Sequence, residues 1–191
     1  PENPEPENPK SENPTPENPQ QDNQISKEAK AVFNAKSIKM QVKKSTTGLQ
    51  IAEKIPADDT IVKWSSSKPT VVKVNQKGKI TAKKVGKAVI TVTMASGASA
   101  SCTVKVQKKP VATTKLILPE KKITMKKGTK YKVLYTRLPF TASDHVKITS
   151  SNKKVIKVLK NSMIRAMKKK GTAYITVTAG KKKQKMKVVV R

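Results

Sequence analysis

Residues 62–74 read Val-Lys-Trp-Ser-Ser-Ser-Lys-Pro-Thr-Val-Val-Lys-Val, and residues 147–158 read Lys-Ile-Thr-Ser-Ser-Asn-Lys-Lys-Val-Ile-Lys-Val. Placing Trp64 over Ile148 sets Ser65, Ser66 and Ser67 over Thr149, Ser150 and Ser151. The same offset sets Val71, Val72 and Val74 over Val155, Ile156 and Val158. A self-match at a fixed offset decides the architecture before any local reading can. The chain is two copies of one unit, and whatever fold is chosen has to serve both.

The unit is made of short strands. In the first copy Ile38, Met40 and Val42 alternate with Lys39, Gln41 and Lys43, the period of a half-buried strand. Leu49 and Ile51 alternate likewise. So do Ala88, Ile90 and Val92 against Val89, Thr91 and Thr93, and Cys102, Val104 and Val106 against Thr103 and Lys105. Turn residues separate them: Pro56 to Asp59, Asn75 to Gly78, Gly86, and Ser96-Gly97-Ala98. No long apolar stripe of helical period intervenes, and Thr, Val and Ile are abundant. Residues 25–35 admit a helical turn capped by Ser26, but their alignment with Lys115 to Leu118 favours a strand over Ala31 to Ala35. Seven or eight short strands at this spacing predict a β-sandwich.

The second copy repeats the plan. Tyr131, Val133 and Tyr135 alternate as one strand, Pro139 matches Pro56, and Met163 to Ala166 match Lys79 to Ala82. Gly171 matches Gly86 after one inserted residue, and Met186, Val188 and Val190 match Cys102, Val104 and Val106. Cys102 facing Met186 across the alignment reads as core filler, and a single cysteine allows no internal disulfide. Trp64, Tyr131 and Tyr135 are expected to point inward and Tyr174 outward. The expected organisation is a Pro/Glu/Asn-rich spacer over 1–24, one sandwich over 25–107, a short linker with limited freedom over 108–114, and a second sandwich over 115–191. The spacer repeats Glu-Asn-Pro with a period of five from Glu2. With nothing apolar to bury, it is expected to stay extended, reaching roughly 75 Å at ~3.1 Å per residue. The chain opens on Pro1 rather than Met, as expected of a fragment or processed product of a larger, monomeric multidomain protein.

Trp64-Ser65-Ser66-Ser67 with Pro69, then Gly78 to Ala82, then Gly86 to Val92, resemble the bacterial immunoglobulin-like domain, group 2. The resemblance runs over residues 30–107. It continues more loosely over 115–191 through Gly128, Pro139, Ser150-Ser151-Asn152, Ala166 and Gly171 to Val177, with Ile148 where Trp is usual and Ser162 where Gly78 sits. It implies an all-β chain of two tandem immunoglobulin-like sandwiches, located extracellularly or on a bacterial surface. There such domains serve as stalks, spacers and sometimes adhesive tips, and the family has no shared catalytic residues to carry over.

Charge supplies the other functional clue. The chain carries 42 Lys and Arg against 12 Asp and Glu, a net of +30. Residues 1–24 hold −5 of this, 25–107 hold +12 and 108–191 hold +23. Such a field favours an anionic partner. Lys168, Lys169 and Lys170 precede Gly171, and Lys181, Lys182, Lys183 and Lys185 follow Gly180. These seven are the candidate site for an anionic polymer, either cell-wall teichoic-acid-like polymer or host glycosaminoglycan. Flanking one strand, the two runs should emerge at opposite ends of the sandwich. Lys39, Lys73, Lys105, Lys157 and Lys187 alternate along strands and should line outward faces, where lysine also discourages strand-to-strand aggregation.

Other chemistries fare worse. His145 is the only histidine, in a polar turn from Thr141, so a His-based triad would depend on it alone. Zinc and calcium lack a clustered ligand set. Three arginines and few aromatics argue against specific nucleic-acid readout and against a stacked-sugar site. No apolar run is long enough to span a membrane. The expectation is a non-catalytic spacer that presents a neighbouring domain and needs no cofactor, with adhesion to an anionic polymer as the alternative.

Overall fold

A computed structural model describes residues 28–191. The expected spacer over 1–24 and the Ser26 cap lie outside the described residues. Every described element is a strand. The first nine are β1 (Lys30–Phe33), β2 (Ser37–Gln41), β3 (Ser45–Thr46), β4 (Ile51–Ile55), β5 (Ile61–Ser66), β6 (Val72–Val74), β7 (Ile80–Ala82), β8 (Gly86–Met94) and β9 (Ser99–Gln107). The next nine are β10 (Lys115–Ile117), β11 (Lys122–Met125), β12 (Lys130–Lys132), β13 (Thr136–Leu138), β14 (Val146–Ser150), β15 (Ile156–Val158), β16 (Met163–Ala166), β17 (Gly171–Ala179) and β18 (Lys182–Val190).

The two sets of nine have one topology. In the first, a four-stranded sheet β2-β9-β8-β5 faces a three-stranded sheet β3-β7-β6, with β1 paired to β4. In the second the sheets are β11-β18-β17-β14 and β12-β16-β15, with β10 paired to β13. Adding nine to each label of the first set reproduces the second. Within each large sheet, β2 runs parallel to β9 and β11 parallel to β18, while the other neighbours are antiparallel.

Period-2 burial follows the sequence pattern. Ala88, Ile90, Val92 and Met94 of β8 point inward, as do Ala173, Ile175, Val177 and Ala179 of β17. They meet Ile80 and Ala82 from the first set's opposite sheet and Ile164 and Ala166 from the second's. Each fully buried Ile or Val contributes about 1.5–3 kcal/mol relative to exposure, so each core rests on its own short list of side chains. Cys102 and Met186 sit in matching core positions, both almost wholly buried. Tyr131, Tyr135 and Trp64 are half-buried against the cores, and Tyr174 is exposed, as expected.

The motif that revealed the repeat closes the end of β5. Ser67 Oγ accepts the Val89 N–H at 2.9 Å, and Ser66 Oγ donates to the Val72 carbonyl at 2.6 Å. In the second sandwich Ser151 Oγ accepts the Tyr174 N–H at 2.8 Å, from the position equivalent to Val89. A hydroxyl takes over from a strand carbonyl at both places, which keeps the turn satisfied where pairing stops. The serine run is therefore structural.

Some expected elements fall differently. The first strand is Lys30–Phe33, not Ala31 to Ala35. Tyr131 to Tyr135 do not form one strand: β12 pairs with β16 and β13 with β10, so the chain changes sheets between Lys132 and Thr136. Leu49 makes the corresponding crossing ahead of β4 rather than lying in a strand with Ile51. Leu49 and Val133 are each 2% exposed, because the crossing carries them through the core.

Residues 108–114 are held on both sides. The Gln41 side-chain amide donates to the Lys108 carbonyl, and that of Gln107 to the Lys109 and Pro110 carbonyls. Val111 and Thr113 are buried. Val111 and Ser143 exchange two bonds, each 2.9 Å, and the Thr113 hydroxyl donates to Asp144 Oδ1 at 2.6 Å. From the second sandwich, Phe140 packs against the first sandwich's core cluster.

Candidate anion-binding surface

The two lysine runs are exposed but separate. Lys168, Lys169 and Lys170 lie in the turn before β17, and Lys181 and Lys182 at the turn that opens β18. The nine residues of β17 stand between them, about 27 Å at ~3.4 Å per residue. They do not form one site.

Lys183 and Lys185 belong instead to a sheet face. In β18, Met186, Val188 and Val190 point inward, so Lys183, Lys185 and Lys187 point outward at alternate positions. Register places neighbours beside each of them. Lys187 is flanked by Lys122 of β11 and Tyr174 of β17. Lys185 lies beside Thr176, which pairs onward with Thr149, and Lys183 beside Thr178, which pairs onward with Lys147. The outer face of the β11-β18-β17-β14 sheet thus collects five lysines among threonine hydroxyls, with no carboxylate on any of its four strands. Lys122 and Lys147 reach it only through long-range pairing, so no local pattern announced them.

The equivalent face of the first sandwich is arranged otherwise. Ser99, Ser101 and Thr103 of β9 occupy the positions of Lys183, Lys185 and Lys187. Of its four outward lysines, Lys39, Lys105 and Lys87 stand abreast in one row across three strands, and Lys63 of β5 lies beside Thr93. Like charges directly opposed on a sheet cost ~0.2–1 kcal/mol per pair. Among the described residues only Lys30, with Glu53, and Arg137, with Asp144, are in ion pairs. The facing ammoniums are therefore not offset within either sheet.

Two carboxylates, Asp59 buried and Asp144 half-buried, serve structure. Asp59 accepts from the Ser96 hydroxyl at 2.6 Å and from the Ser96 and Thr60 N–H groups, and its carbonyl accepts from Lys54. The Ser96 hydroxyl is the main reason its acidity is raised above the ordinary; burial opposes this, and the two N–H groups and Lys54 add to it. For Asp144, burial alone would favour the neutral form, but the Thr113 hydroxyl and N–H and the Arg137 guanidinium outweigh it and hold the carboxyl below the usual range. Nothing in the sequence marked either residue as a bonded carboxylate, because Ser96 and Thr113 are more than thirty residues away.

A cleft of about 490 Å³ opens between the sandwiches, lined by Lys44, Ser45, Arg137, Thr141, Asp144 and His145 among others. His145 is exposed, while Thr141 Oγ1 is buried without a partner. Asp144 is already engaged by Thr113 and Arg137, so the cleft does not assemble a His–carboxylate pair for general base work. Among the described residues no group of three or more His, Cys, Asp or Glu could hold a metal ion, and no helix is long and apolar enough to cross a membrane.

Comparison with known proteins locates the chain. Over 68 residues it is 46% identical to a lacto-N-biosidase of Bifidobacterium bifidum, which is 35% of this chain and 6% of that protein. The chain thus spans a small part of that curated relative's length. Domains 4 and 5 of the S-layer protein SbsC align over 76% of this chain and 84% of theirs, at 20% identity and a TM-score of 0.37. A bacterial Ig-like domain containing GH10 xylanase from termite gut aligns over 36% of this chain and 18% of its own, at 26% identity and a TM-score of 0.29. The model of the bacterial Ig-like domain (group 2) matches residues 22–104, which include all of β1 to β8 and most of β9. Over that span the chain is similar to the bacterial Ig-like domain, group 2.

Proposed function

We propose that this chain is a non-catalytic module of a larger extracellular or surface-attached bacterial protein, and that it holds a neighbouring domain at a set distance. The observation that carries the reading is the join at residues 108–114. Its polar atoms are taken up by Gln41, Gln107, Ser143 and Asp144, and Phe140 bridges to the first core. A spacer transmits position only if its joints resist bending, and a bonded, partly buried linker resists better than a free one. The small fraction of the lacto-N-biosidase that resembles this chain agrees with a role as one part among several. Spin labels at Lys87→Cys and Lys182→Cys test it, since Cys102 is buried and should stay unlabelled. A single narrow distance distribution is expected; a broad one would remove the spacer reading.

A second reading, adhesion to an anionic polymer, is favoured by one observation: the five-lysine outer face of the second sandwich, free of carboxylates. Retention of the full chain on an anionic matrix at physiological salt tests it, and elution below that salt would leave the lysines as surface solubilisers.

A further inference from the structure

We propose that the outer face of the β11-β18-β17-β14 sheet is a track for a linear phosphodiester polymer of a short polyol, laid along β18 with successive phosphates against Lys183, Lys185 and Lys187. The inference rests on the adhesion reading and names the site and the ligand chemistry for it.

Three observations point to a track rather than a diffuse field. First, the outward lysines of β18 fall at alternate residues of one strand, so their stems are spaced by roughly 7 Å along a line. A phosphodiester chain with a short carbon bridge repeats its charge at a similar interval when extended. A polysaccharide with one acid per disaccharide spaces its charges more widely. Second, Lys122 and Lys147 flank the line on opposite sides, beside Lys187 and two strands from Lys183 respectively. They widen the positive strip without breaking it. Third, the strands beside the lysine line carry hydroxyls: Thr176 and Thr178 from β17 and Thr149 from β14. Hydroxyls donate to phosphate oxygens and accept from polyol hydroxyls alike.

The residue types select against other polyanions. Lysine meets a phosphate as a point charge, without the planar fork by which arginine clamps it. The face holds no arginine and one aromatic, Tyr174, 47% exposed. Bases of single-stranded nucleic acid would find one platform where they need a succession. The repeat supplies an internal contrast as well. On the same strand of the same fold, the first sandwich has Ser99, Ser101 and Thr103. The sheet does not require lysine there for folding or pairing.

That contrast also provides the variant. Lys183→Ser, Lys185→Ser and Lys187→Thr together install the first sandwich's own residues, and native near-ultraviolet circular dichroism confirms folding. The control, Lys168→Ser with Lys169→Ser and Lys170→Ser, removes the same charge at one end of β17. Binding of the full chain to poly(glycerol phosphate), to heparin and to a single-stranded oligonucleotide is measured across a salt series. The proposal expects poly(glycerol phosphate) to bind most tightly per charge. The track variant should weaken it roughly tenfold or more and lower the salt slope by about 0.7 per lysine, and the control should change it less than threefold. Equal losses in track and control variants would mean attraction by net charge and would overturn the track. Tighter binding of heparin or oligonucleotide through the same lysines would overturn the phosphodiester assignment. Failure of the unaltered chain to bind any of the three at physiological salt would sink the adhesion reading itself.

Discussion

The indole of Trp64 lies over Gly78 so closely that a Cβ at Gly78 would stand 2.9 Å from Trp64 Cζ2. Gly78 also has φ +71°, in the left-handed region that side chains adopt at a cost. Both residues change together in the second sandwich, where Ile148 replaces the indole and Ser162 replaces the glycine. Ser162 keeps the left-handed backbone at φ 61°, beside Asn161 at 57°. The smaller side chain makes room for the Cβ, while the strain of the turn stays.

Gly78→Ala should therefore destabilise the first sandwich by about 2–3 kcal/mol, combining the left-handed cost with displacement of the indole. Ser162→Gly should stabilise the second by up to ~1 kcal/mol. In Trp64→Ile the Gly78→Ala penalty should shrink, and a double-mutant cycle by chemical denaturation reads the coupling. An additive cycle would mean that the turn, not the contact, sets the cost.

Phe140→Ala should loosen the join without unfolding either sandwich. Phe140 belongs to the second sandwich but packs on the first core and against Gly48, where an added Cβ would meet its ring. The spin-label distance distribution between the sandwiches should broaden, while each sandwich's own unfolding shifts by less than ~1 kcal/mol.

Stability should fall on acidification through Asp59 and Asp144. Both carboxyls are more acidic in the folded protein than their ordinary value of 3.8. A depressed folded value contributes stability above the unfolded value, and that contribution is lost as pH falls through the folded one. The melting temperature should be flat from neutral pH to about 5 and decline below about 4. Asp59→Asn with Asp144→Asn should start lower and decline less steeply over the acid range.

The Cys102 thiol should be silent in the native state. Burial pushes its pKa up to about 11 and leaves it 1% exposed. A thiol-specific chromogenic reagent should react fully in denaturant, and in its absence only at the rate of global opening.

The long strands were the legible part. β8, β9 and β17 bury every second residue, β18 does so from Met186 on, and a period of two survives any context. Short strands that change sheets were not, because the alternation runs from Tyr131 through Tyr135 while the chain leaves β16 after Lys132 and joins β10 only at Thr136. The lysine runs were visible as runs, yet the face that unites Lys183 and Lys185 with Lys122, Lys147 and Lys187 depends on which strands become neighbours. Local pattern carries no such information when β11 pairs with β18 across the whole sandwich. Two bonded carboxylates were hidden for the same reason: Asp59 and Asp144 look like turn residues until Ser96 and Thr113 arrive.

The parallel pairing of β2 with β9 and of β11 with β18 has a mechanical consequence. In each sandwich the early strand and the final strand run the same way, so tension between the two ends of a sandwich draws them along their length in opposite directions. The ladder is then loaded in shear, with its bonds straining together, where an antiparallel pair pulled from one end would unzip bond by bond. Extension at constant speed should show two high, discrete force peaks, one for each sandwich.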